Sequence, residues 1–163
     1  MAEIELYYIG IAALLHDLGL CEMPQLIHMV KRKPHQENSW KEHPRYGYYL
    51  ARESDLPEGV CKDILHHHES WNGEGFPKKL SGEDIPLGAR IIAVCDQYNR
   101  LLRQNKIPHY QAIEYLYGGG NYYFDSRIVH AFTNNLAVYP LGSLVRLSTG
   151  QVGIVINVRK NLG

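Results

Sequence analysis

Apolar side chains recur every three or four positions through most of the chain, which predicts a succession of amphipathic helices. The first helix begins near Ile4, carries Ile11 and Leu15 on its apolar face, and ends near Gly19. Residues 21–42 mix loop and short-helix signals. Five further helices and one long glycine- and proline-rich loop follow. The helices are predicted at residues 43–50, 55–68, 89–102, 108–117 and 125–138, and the loop at residues 70–90.

The hydrophobic period changes near the carboxyl end of the chain. Val145 and Leu147 alternate with polar neighbours, and after a Thr-Gly turn signal the alternation continues through residues 152–158. This pattern predicts a β-hairpin. Because an isolated hairpin is marginally stable in water, we expect it to pack on the helices or to pair with strands outside this chain. The predicted fold is mainly α, with a helical bundle at residues 1–138 and a small C-terminal β-hairpin at residues 139–163.

Composition narrows the classes of function without identifying one. The chain has 163 residues, of which 45% are hydrophobic, enough for one buried core. Lysine plus arginine number 17, as do aspartate plus glutamate, so no overall charge favours a nucleic-acid polymer or an anionic membrane. The uncharged apolar run from Leu6 to Leu15 is too short to span a bilayer, and the three cysteines lack CxxC spacing. We therefore expect a cytoplasmic protein that contacts neither a membrane nor a nucleic-acid polymer.

Histidine and aspartate are concentrated at four places, each on or beside a predicted helix. These are His16 with Asp17, His43, the run 66–69, and Asp96. A separation of roughly one helix and its connection lets successive antiparallel helices bring such groups to a common interior. Imidazole and carboxylate ligands without thiolate suit iron, manganese, nickel or zinc, and this number suits two ions that share a bridging oxygen ligand.

The same residues have ordinary structural interpretations. A His-Asp pair after an apolar run is common, and the histidines at residues 66–68 also fit a polar stretch at a helix end. Asp96 has Arg100 one turn later as a salt-bridge partner. The other histidines have no companions at ligand spacing, and the basic run at residues 31–33 is expected to be a solvated loop. Those histidines are His28, His35, His109 and His130.

One long motif crosses the predicted loop. It resembles the signature of HD-GYP domains, which are bacterial members of the HD phosphohydrolase superfamily. The motif reads His67-His68-Glu69-Ser70-Trp71-Asn72-Gly73-Glu74-Gly75-Phe76-Pro77 and continues from Leu80 through Ile85-Pro86-Leu87 to Asp96. Further family landmarks follow in the right order, so the resemblance covers residues 9–138. They are Leu14 to Gly19, His43-Pro44 and Phe124-Asp125.

The resemblance implies an HD-domain helical bundle that binds two divalent metal ions, with iron or manganese preferred and nickel or zinc as alternatives. It implies hydrolysis of cyclic di-GMP to the linear dinucleotide pGpG, and to GMP in some members. Asp17 is the implied bridge between the ions, and His16 and Asp17 are the implied catalytic residues. The implied metal ligands are His16, Asp17, His43, His67, His68 and Asp96.

The resemblance also implies a substrate-binding loop. Gly75, Phe76 and Pro77 occupy the position of the family's Gly-Tyr-Pro motif. Arg90 is a further candidate for substrate binding. The family carries a phosphate-contacting cation after the position of Asp96, and the candidates for it here are Arg103 and Lys106.

Several positions depart from the family pattern. Leu20 stands where the family has a lysine that faces phosphate, Phe76 replaces a tyrosine, and the segment at residues 100–108 is shorter. The alternative function is therefore a catalytically degenerate domain that binds cyclic di-GMP or a signalling partner without turnover. The family fold also includes helices upstream of the His-Asp helix that this chain begins too late to contain. A diguanylate cyclase domain or an upstream sensory domain is the expected partner.

Overall fold

Helices form where the apolar periodicity predicts them, and a computed structural model, which describes residues 3–23 and 39–158, defines their bounds. The α-helices are α1 (Glu3–Leu15), α2 (His43–Glu53), α3 (Glu58–His66), α4 (Leu87–Arg103), α5 (His109–Gly118) and α6 (Ser126–Thr133). Short 3-10 helices occur at Leu18–Glu22, Ser39–Glu42 and Gly82–Asp84. The strands β1 (Leu144–Arg146) and β2 (Val152–Ile154) form one antiparallel pair. The mainly α prediction is confirmed.

Helix α4 is shared by two buried clusters. The first cluster joins α4 to α1, α2 and α3, and the second joins it to α5 and α6. Ile92 belongs to the first cluster and Val94 to the second. Residues two positions apart on a helix of 3.6 residues per turn point to nearly opposite faces. The first cluster contains Ala12, Ala51, Val60, Cys61, Ile64 and Ile92, and the second contains Val94, Leu116 and Val129.

A carboxylate joins α3 to the start of α4. Asp63 Oδ1 accepts a hydrogen bond of 3.0 Å from the backbone N–H of Ala89, a first-turn group without a partner inside its own helix. Gly88 leaves the space for this contact, since a Cβ at that position would overlap the Asp63 carboxylate. Burial raises the pKa of Asp63 to about 6, although the Ala89 hydrogen bond opposes the rise.

The predicted end of the first helix is wrong. α1 ends at Leu15, and the following residues turn into a 3-10 helix instead of continuing to Gly19. The cause is close packing against α2, because Gly19 lies against the backbone carbonyl of His43 and a Cβ there would overlap the carbonyl oxygen. His16 and Asp17 therefore lie in a turn and not on the helix.

Two other predicted helix ends also extend too far. α3 ends at His66 instead of residue 68, where a turn closes with a hydrogen bond from the Glu69 N–H to the His66 carbonyl at 2.9 Å. α6 ends at Thr133 instead of residue 138. The Thr133 hydroxyl donates to the Val129 carbonyl at 2.8 Å, a local side-chain bond that competes with the helical backbone pattern.

The hairpin has the predicted position and little cover. Val145 pairs with Gly153 in its register, and the turn ends in a Leu147 N–H to Gln151 carbonyl bond of 2.8 Å. Leu144 is 74% exposed and Ile156 is 89% exposed. The apolar side chains of the hairpin therefore lie mostly in solvent and gain little cover from the helices. The alternative expectation, pairing with strands outside this chain, stays a prediction.

His28, His35 and the basic run at residues 31–33 lie outside the described residues. By length and composition alone, the segment Glu3–Glu22 is apolar enough to cross a membrane, which the shorter run considered above did not suggest. A single segment of this kind near an N-terminus is weak evidence, and this one is interrupted at Leu15 by the turn that carries Asp17.

Candidate metal centre and substrate cleft

The turn after α1 positions the first two candidate ligands. His16 Nδ1 lies 2.8 Å from the carbonyl oxygen of Ala13, one turn back in the helix, which aims Nε2 away from α1. The carbonyl of Asp17 accepts the N–H of Leu20 at 2.9 Å and starts the 3-10 helix. The Asp17 side chain is half exposed and points toward the histidines described next.

Two buried histidines are fixed in the same way. His43 opens α2, and its Nδ1 lies 2.6 Å from the carbonyl oxygen of Trp40. His67 follows α3, and its Nδ1 lies 2.6 Å from the carbonyl oxygen of Ile64. In both rings the opposite nitrogen, Nε2, faces the interior of the site. Hydrogen bonds from the distal nitrogen to backbone carbonyls are the usual outer support of metal-binding histidines.

Side chains at the end of α1, the start of α2 and the end of α3 converge. His43 Nε2 lies 3.2 Å from Asp17 Oδ1 and 3.2 Å from His67 Nε2, and the distance from His67 Nε2 to Asp17 Oδ1 is 3.9 Å. Each of four residues offers a ligand atom within 4.8 Å of the others. We call this set the metal-binding cluster; it comprises Asp17, His43, His67 and His68.

The protonation of the cluster favours a cation at its centre. A carbonyl oxygen only accepts, so Nδ1 of His43 and of His67 donates to it, and in a neutral ring the opposite nitrogen, Nε2, then presents a lone pair. Burial lowers the pKa of His67 to about 3, which keeps the ring neutral at pH 7. Burial raises the pKa of Asp17, and its neighbours His43 and His16 lower it by more, so its carboxylate is ionised. Lone pairs and a carboxylate this close together repel unless a proton or a metal cation lies between them, and three imidazoles with one carboxylate form a donor set that fits a divalent transition-metal ion.

Two further candidate ligands, His16 and Asp96, adjoin the cluster. His16 Nε2 lies 3.4 Å from Asp17 Oδ2 and 4.0 Å from Asp96 Oδ1. Burial raises the pKa of Asp96, with Arg100 and His16 opposing the rise. Asp96 Oδ2 is also 3.8 Å from Arg100 Nη1, so both sequence interpretations of Asp96 have a geometric counterpart. All six predicted ligands thus lie in one region, and their binding of metal stays a prediction.

The candidate substrate loop begins directly beside the cluster. Phe76 stacks on His68 with ring centroids 4.8 Å apart, and its backbone N–H donates to the His68 carbonyl at 3.1 Å. Burial lowers the pKa of His68 below its usual range. Gly75 permits this close return, since a Cβ there would overlap the backbone of Ser70, and the Phe76–Pro77 peptide is cis. The structure therefore places the predicted Gly75–Pro77 motif against a candidate metal ligand.

Glu69 has no separate role in the sequence predictions, but in the structure its side chain holds the candidate substrate loop. Its buried carboxylate accepts the backbone N–H of Lys78 at 2.7 Å and that of Leu80 at 3.1 Å. His66 Nδ1 approaches the same carboxylate at 3.3 Å. Glu69 thus ties the far side of the loop to the end of α3. The position of Glu69 within the histidine run was a visible signal, but its partners are backbone groups that no side-chain pattern identifies.

Two of the predicted substrate cations, Arg90 and Lys106, lie in different surroundings. Arg90 donates to Asp125 Oδ2 at 2.8 Å, and its guanidinium lies 5.9 Å from the centroid of the Trp71 ring. Asp125 also accepts from Arg127 at 2.8 Å, and this hydrogen bond is the main cause of a lowered pKa for the Asp125 carboxyl. Lys106 is exposed, with a left-handed backbone φ of 54°, in the connection between α4 and α5.

A cleft of about 190 Å³ opens beside the metal-binding cluster. Arg100 is the one arginine or lysine among the described residues that line it, and the sequence analysis had considered Arg100 only as a partner of Asp96. The lining also includes two half-exposed tyrosines, Tyr115 and Tyr123. Lys106 does not line this cleft.

A family model described as the HD domain matches residues 3–128, which include all six candidate ligands. The chain belongs to the HD domain family. The resemblance to HD-GYP domains noted in the sequence is confirmed by the relatives that follow.

Two curated relatives cover most of this chain. A cyclic di-GMP phosphodiesterase of Pseudomonas aeruginosa is 33% identical over 156 residues, which are 90% of this chain and 37% of the relative. The cyclic di-GMP phosphodiesterase response regulator RpfG of Xanthomonas campestris pv. campestris is 36% identical over 148 residues, 84% of this chain and 38% of the relative. This chain therefore spans less than half the length of the relatives that it matches.

A solved structure has the same fold. The crystal structure of a cyclic GMP-AMP specific phosphodiesterase of Vibrio cholerae superposes with a TM-score of 0.63. The match covers 83% of this chain and 40% of that chain, at 22% sequence identity. At this identity the likeness concerns the fold.

Proposed function

We propose that this chain is a metal-dependent phosphodiesterase that hydrolyses cyclic di-GMP to pGpG, with GMP as a further product. The observation that carries the proposal is the convergence of Asp17 with His43 and His67, whose lone pairs share one centre. The names of the two curated relatives, both cyclic di-GMP phosphodiesterases, support the choice of substrate.

The residues have distinct roles in this proposal. His43, His67 and His68 supply nitrogen ligands, and Asp17 supplies the carboxylate that faces them. His16 and Asp96 extend the donor set toward a second ion, with Asp17 between the two positions. Two divalent ions, iron or manganese first and nickel or zinc as alternatives, would supply Lewis-acid activation of water and neutralisation of phosphate charge.

The chain's own residues orient the reacting groups. The carbonyl oxygens of Trp40 and Ile64 hold His43 and His67 in one tautomer, so their ligand atoms need no rearrangement. Phe76 covers one face of His68 and excludes water from it. Gly75 and Pro77 frame Phe76, and this segment forms the substrate-facing edge of the proposed site.

Binding without turnover is the second candidate function. The observation that favours it is the hydrocarbon side chain of Leu20, where the family has a phosphate-facing lysine, together with the position of Lys106 outside the cleft. A fixed positive charge aimed at the transition-state phosphate is commonly worth several kcal/mol. A domain without one would still bind metal and nucleotide.

Anaerobic turnover measurements test the proposal. Iron- or manganese-loaded protein is incubated with cyclic di-GMP and, separately, with 3'3'-cGAMP, the products are separated by chromatography, and metal content is measured. Asp17→Ala is compared with Asp84→Ala, which removes an exposed carboxylate in a 3-10 helix. We expect metal-dependent pGpG from the wild type and from Asp84→Ala but not from Asp17→Ala. Metal-loaded protein that binds cyclic di-GMP and releases no product would instead establish the binding function.

The setting of the reaction is also a proposal. We infer that the chain works in the cytoplasm and that a sensory or diguanylate cyclase domain accompanies it. The response-regulator name of one relative and the chain's share of that relative, 38%, support a multidomain context.

A further inference from the structure

The cleft beside the metal-binding cluster contains a cation that the family pattern did not indicate. Arg100 comes from α4, one helical turn after Asp96, and lines the cleft together with His67 and His68. Arg100 and the cluster thus face the same space. A substrate oxygen bound in this cleft would therefore have the Arg100 guanidinium on one side and the candidate metal ligands on the other.

The guanidinium of Arg100 has donors to spare. Its Nη1 atom lies 3.8 Å from Asp96 Oδ2, which is longer than a charge-assisted hydrogen bond of about 2.8 Å. The side chain is 37% exposed, so it remains accessible from the cleft. Arg90 differs, because its guanidinium donates to Asp125 at 2.8 Å and is only 13% exposed. Of these two arginines, Arg100 is the one that is placed to bind a ligand.

The cleft also suits the rest of a nucleotide. Tyr115 is 47% exposed and Tyr123 is 48% exposed, and both line the cleft that contains Arg100. Aromatic faces stack on nucleobases without requiring a specific base edge. The Tyr123 carbonyl accepts the N–H of Trp71 at 3.0 Å, which fixes the backbone of this tyrosine against the loop.

We propose that Arg100 binds the phosphate of the substrate that the metal-binding cluster engages, and that it supplies the positive charge missing at Leu20. This inference rests on the proposed function for the identity of the substrate. A planar guanidinium binds two phosphate oxygens at once, and as an always-charged group it also stabilises charge that develops in the transition state. Arg100 is thus a substrate-binding residue that acts from the helix carrying Asp96.

Three variants of the full chain test this role. Arg100→Met removes the charge and keeps the length of the side chain, and Arg100→Lys keeps a point charge. Arg52→Met is the matched control, because Arg52 is an exposed arginine in the last turn of α2 that contacts Tyr48. For each protein, bound metal, kcat and KM for cyclic di-GMP, and the affinity for inorganic phosphate are measured.

We expect Arg100→Met to lower kcat/KM by about 10- to 100-fold and to weaken phosphate binding by about 10-fold, with bound metal unchanged. Arg100→Lys is expected to recover part of both losses, and Arg52→Met to stay within about 2-fold of the wild type. Unchanged kcat/KM and unchanged phosphate affinity in Arg100→Met would overturn the inference. Loss of metal in proportion to activity would also overturn it, since Arg100 would then act by orienting Asp96.

The phosphate measurement separates this inference from the proposed function. If the metal-loaded wild type cleaves no cyclic dinucleotide, the proposed function fails, and the difference in phosphate affinity between wild type and Arg100→Met still decides whether Arg100 binds phosphate. Equal phosphate affinity in that case would refute both.

Discussion

The metal-binding cluster and the loop at residues 70–86 adjoin each other at His68, yet they are held by different kinds of interaction. The cluster depends on packed helices, because α1, α2 and α3 share one buried core and their ends converge. Two of the cluster histidines, His43 and His67, are each held through Nδ1 by the backbone carbonyl three residues before them.

The loop depends on single polar contacts. Its backbone is bound by the Glu69 carboxylate at two N–H groups and by the carbonyl oxygens of Tyr122 and Tyr123, which accept from Asn72 and Trp71. Within the loop, the regular structure is one short 3-10 helix at Gly82–Asp84. The stability of the fold around the cluster is therefore expected to tolerate changes at exposed side chains but not changes in packing, whereas the stability of the loop depends on a few buried polar atoms.

The largest expected effect comes from the exposed side of the cluster. Asp17→Ala removes the carboxylate that faces His43 and His67, so we expect loss of bound metal and a fall in kcat of at least about 1000-fold. Because the Asp17 side chain is half exposed, the unfolding free energy of chelator-treated protein should change by less than about 1 kcal/mol. Undiminished metal stoichiometry would disprove the ligand assignment.

Breaking the packing under the cluster should cost stability as well. In Gly19→Ala the new Cβ overlaps the His43 carbonyl, and we expect the unfolding free energy to fall by about 3 kcal/mol. Metal affinity should fall with it, because Asp17 and His43 lie on the two segments that are pushed apart. Urea denaturation in chelator measures the first effect and metal titration the second.

Gly59→Ala is the control for this prediction. No atom lies within 4 Å of a Cβ built at Gly59, which is in the first turn of α3. Alanine at that place should raise stability by about 0.5 kcal/mol through its helix propensity. If the two alanine variants were equally stable, close packing at Gly19 would not be what positions the cluster.

The loop is tested through its carboxylate. Glu69→Ala leaves the N–H groups of Lys78 and Leu80 without their acceptor, so we expect a loss of about 2–3 kcal/mol and a lower kcat. Bound metal should stay unchanged, in contrast to Asp17→Ala. Glu53→Ala, at the exposed end of α2, is the control for loss of a glutamate. Loss of metal in Glu69→Ala would show that the two regions are not held independently.

The smallest expected effect concerns pH and the junction of α3 with α4. Asp63 has a pKa of about 6 in the folded protein against an ordinary value of 3.8, so the folded state binds the proton more tightly. Its contribution to stability therefore falls as pH rises from 4 to 6, by on the order of 2 kcal/mol. In Asp63→Asn the amide oxygen can still accept from Ala89 and does not titrate. The unfolding free energy of Asp63→Asn minus that of the wild type should therefore increase from pH 4 to pH 6, as measured by urea denaturation. A constant difference would contradict the raised pKa.

The convergence of the cluster residues was predictable from the sequence because these residues lie at or next to the ends of predicted helices. His43 lies at the predicted start of α2, and His67 follows α3, whose predicted end is only two residues too late, so the packing of these helices brings both histidines together. The turn at His16 was not predictable in the same way. Its position depends on contact between Gly19 and a backbone atom of α2, which is a tertiary contact with no periodic signature.

The loop was recognised as a motif but its structure was not predictable. Glu69 binds backbone groups nine and eleven residues later, and Arg90 reaches Asp125 across 35 residues. Any residue except proline at positions 78 and 80 would provide the same backbone N–H, so no residue pattern marks these partners. The cleft cation Arg100 was missed because its salt-bridge interpretation, one turn from Asp96, already explained it.

The carbonyl-anchored imidazoles have a thermodynamic consequence. Both rings are buried with Nε2 turned inward, and burial keeps the His67 ring neutral, so the free energy needed to position these nitrogen atoms is spent when the chain folds. A divalent ion that binds this cluster in the folded state and not in the unfolded chain would therefore raise the free energy of unfolding. Folding and metal uptake would then be linked, so that the concentration of divalent ions influences the folded fraction of the chain.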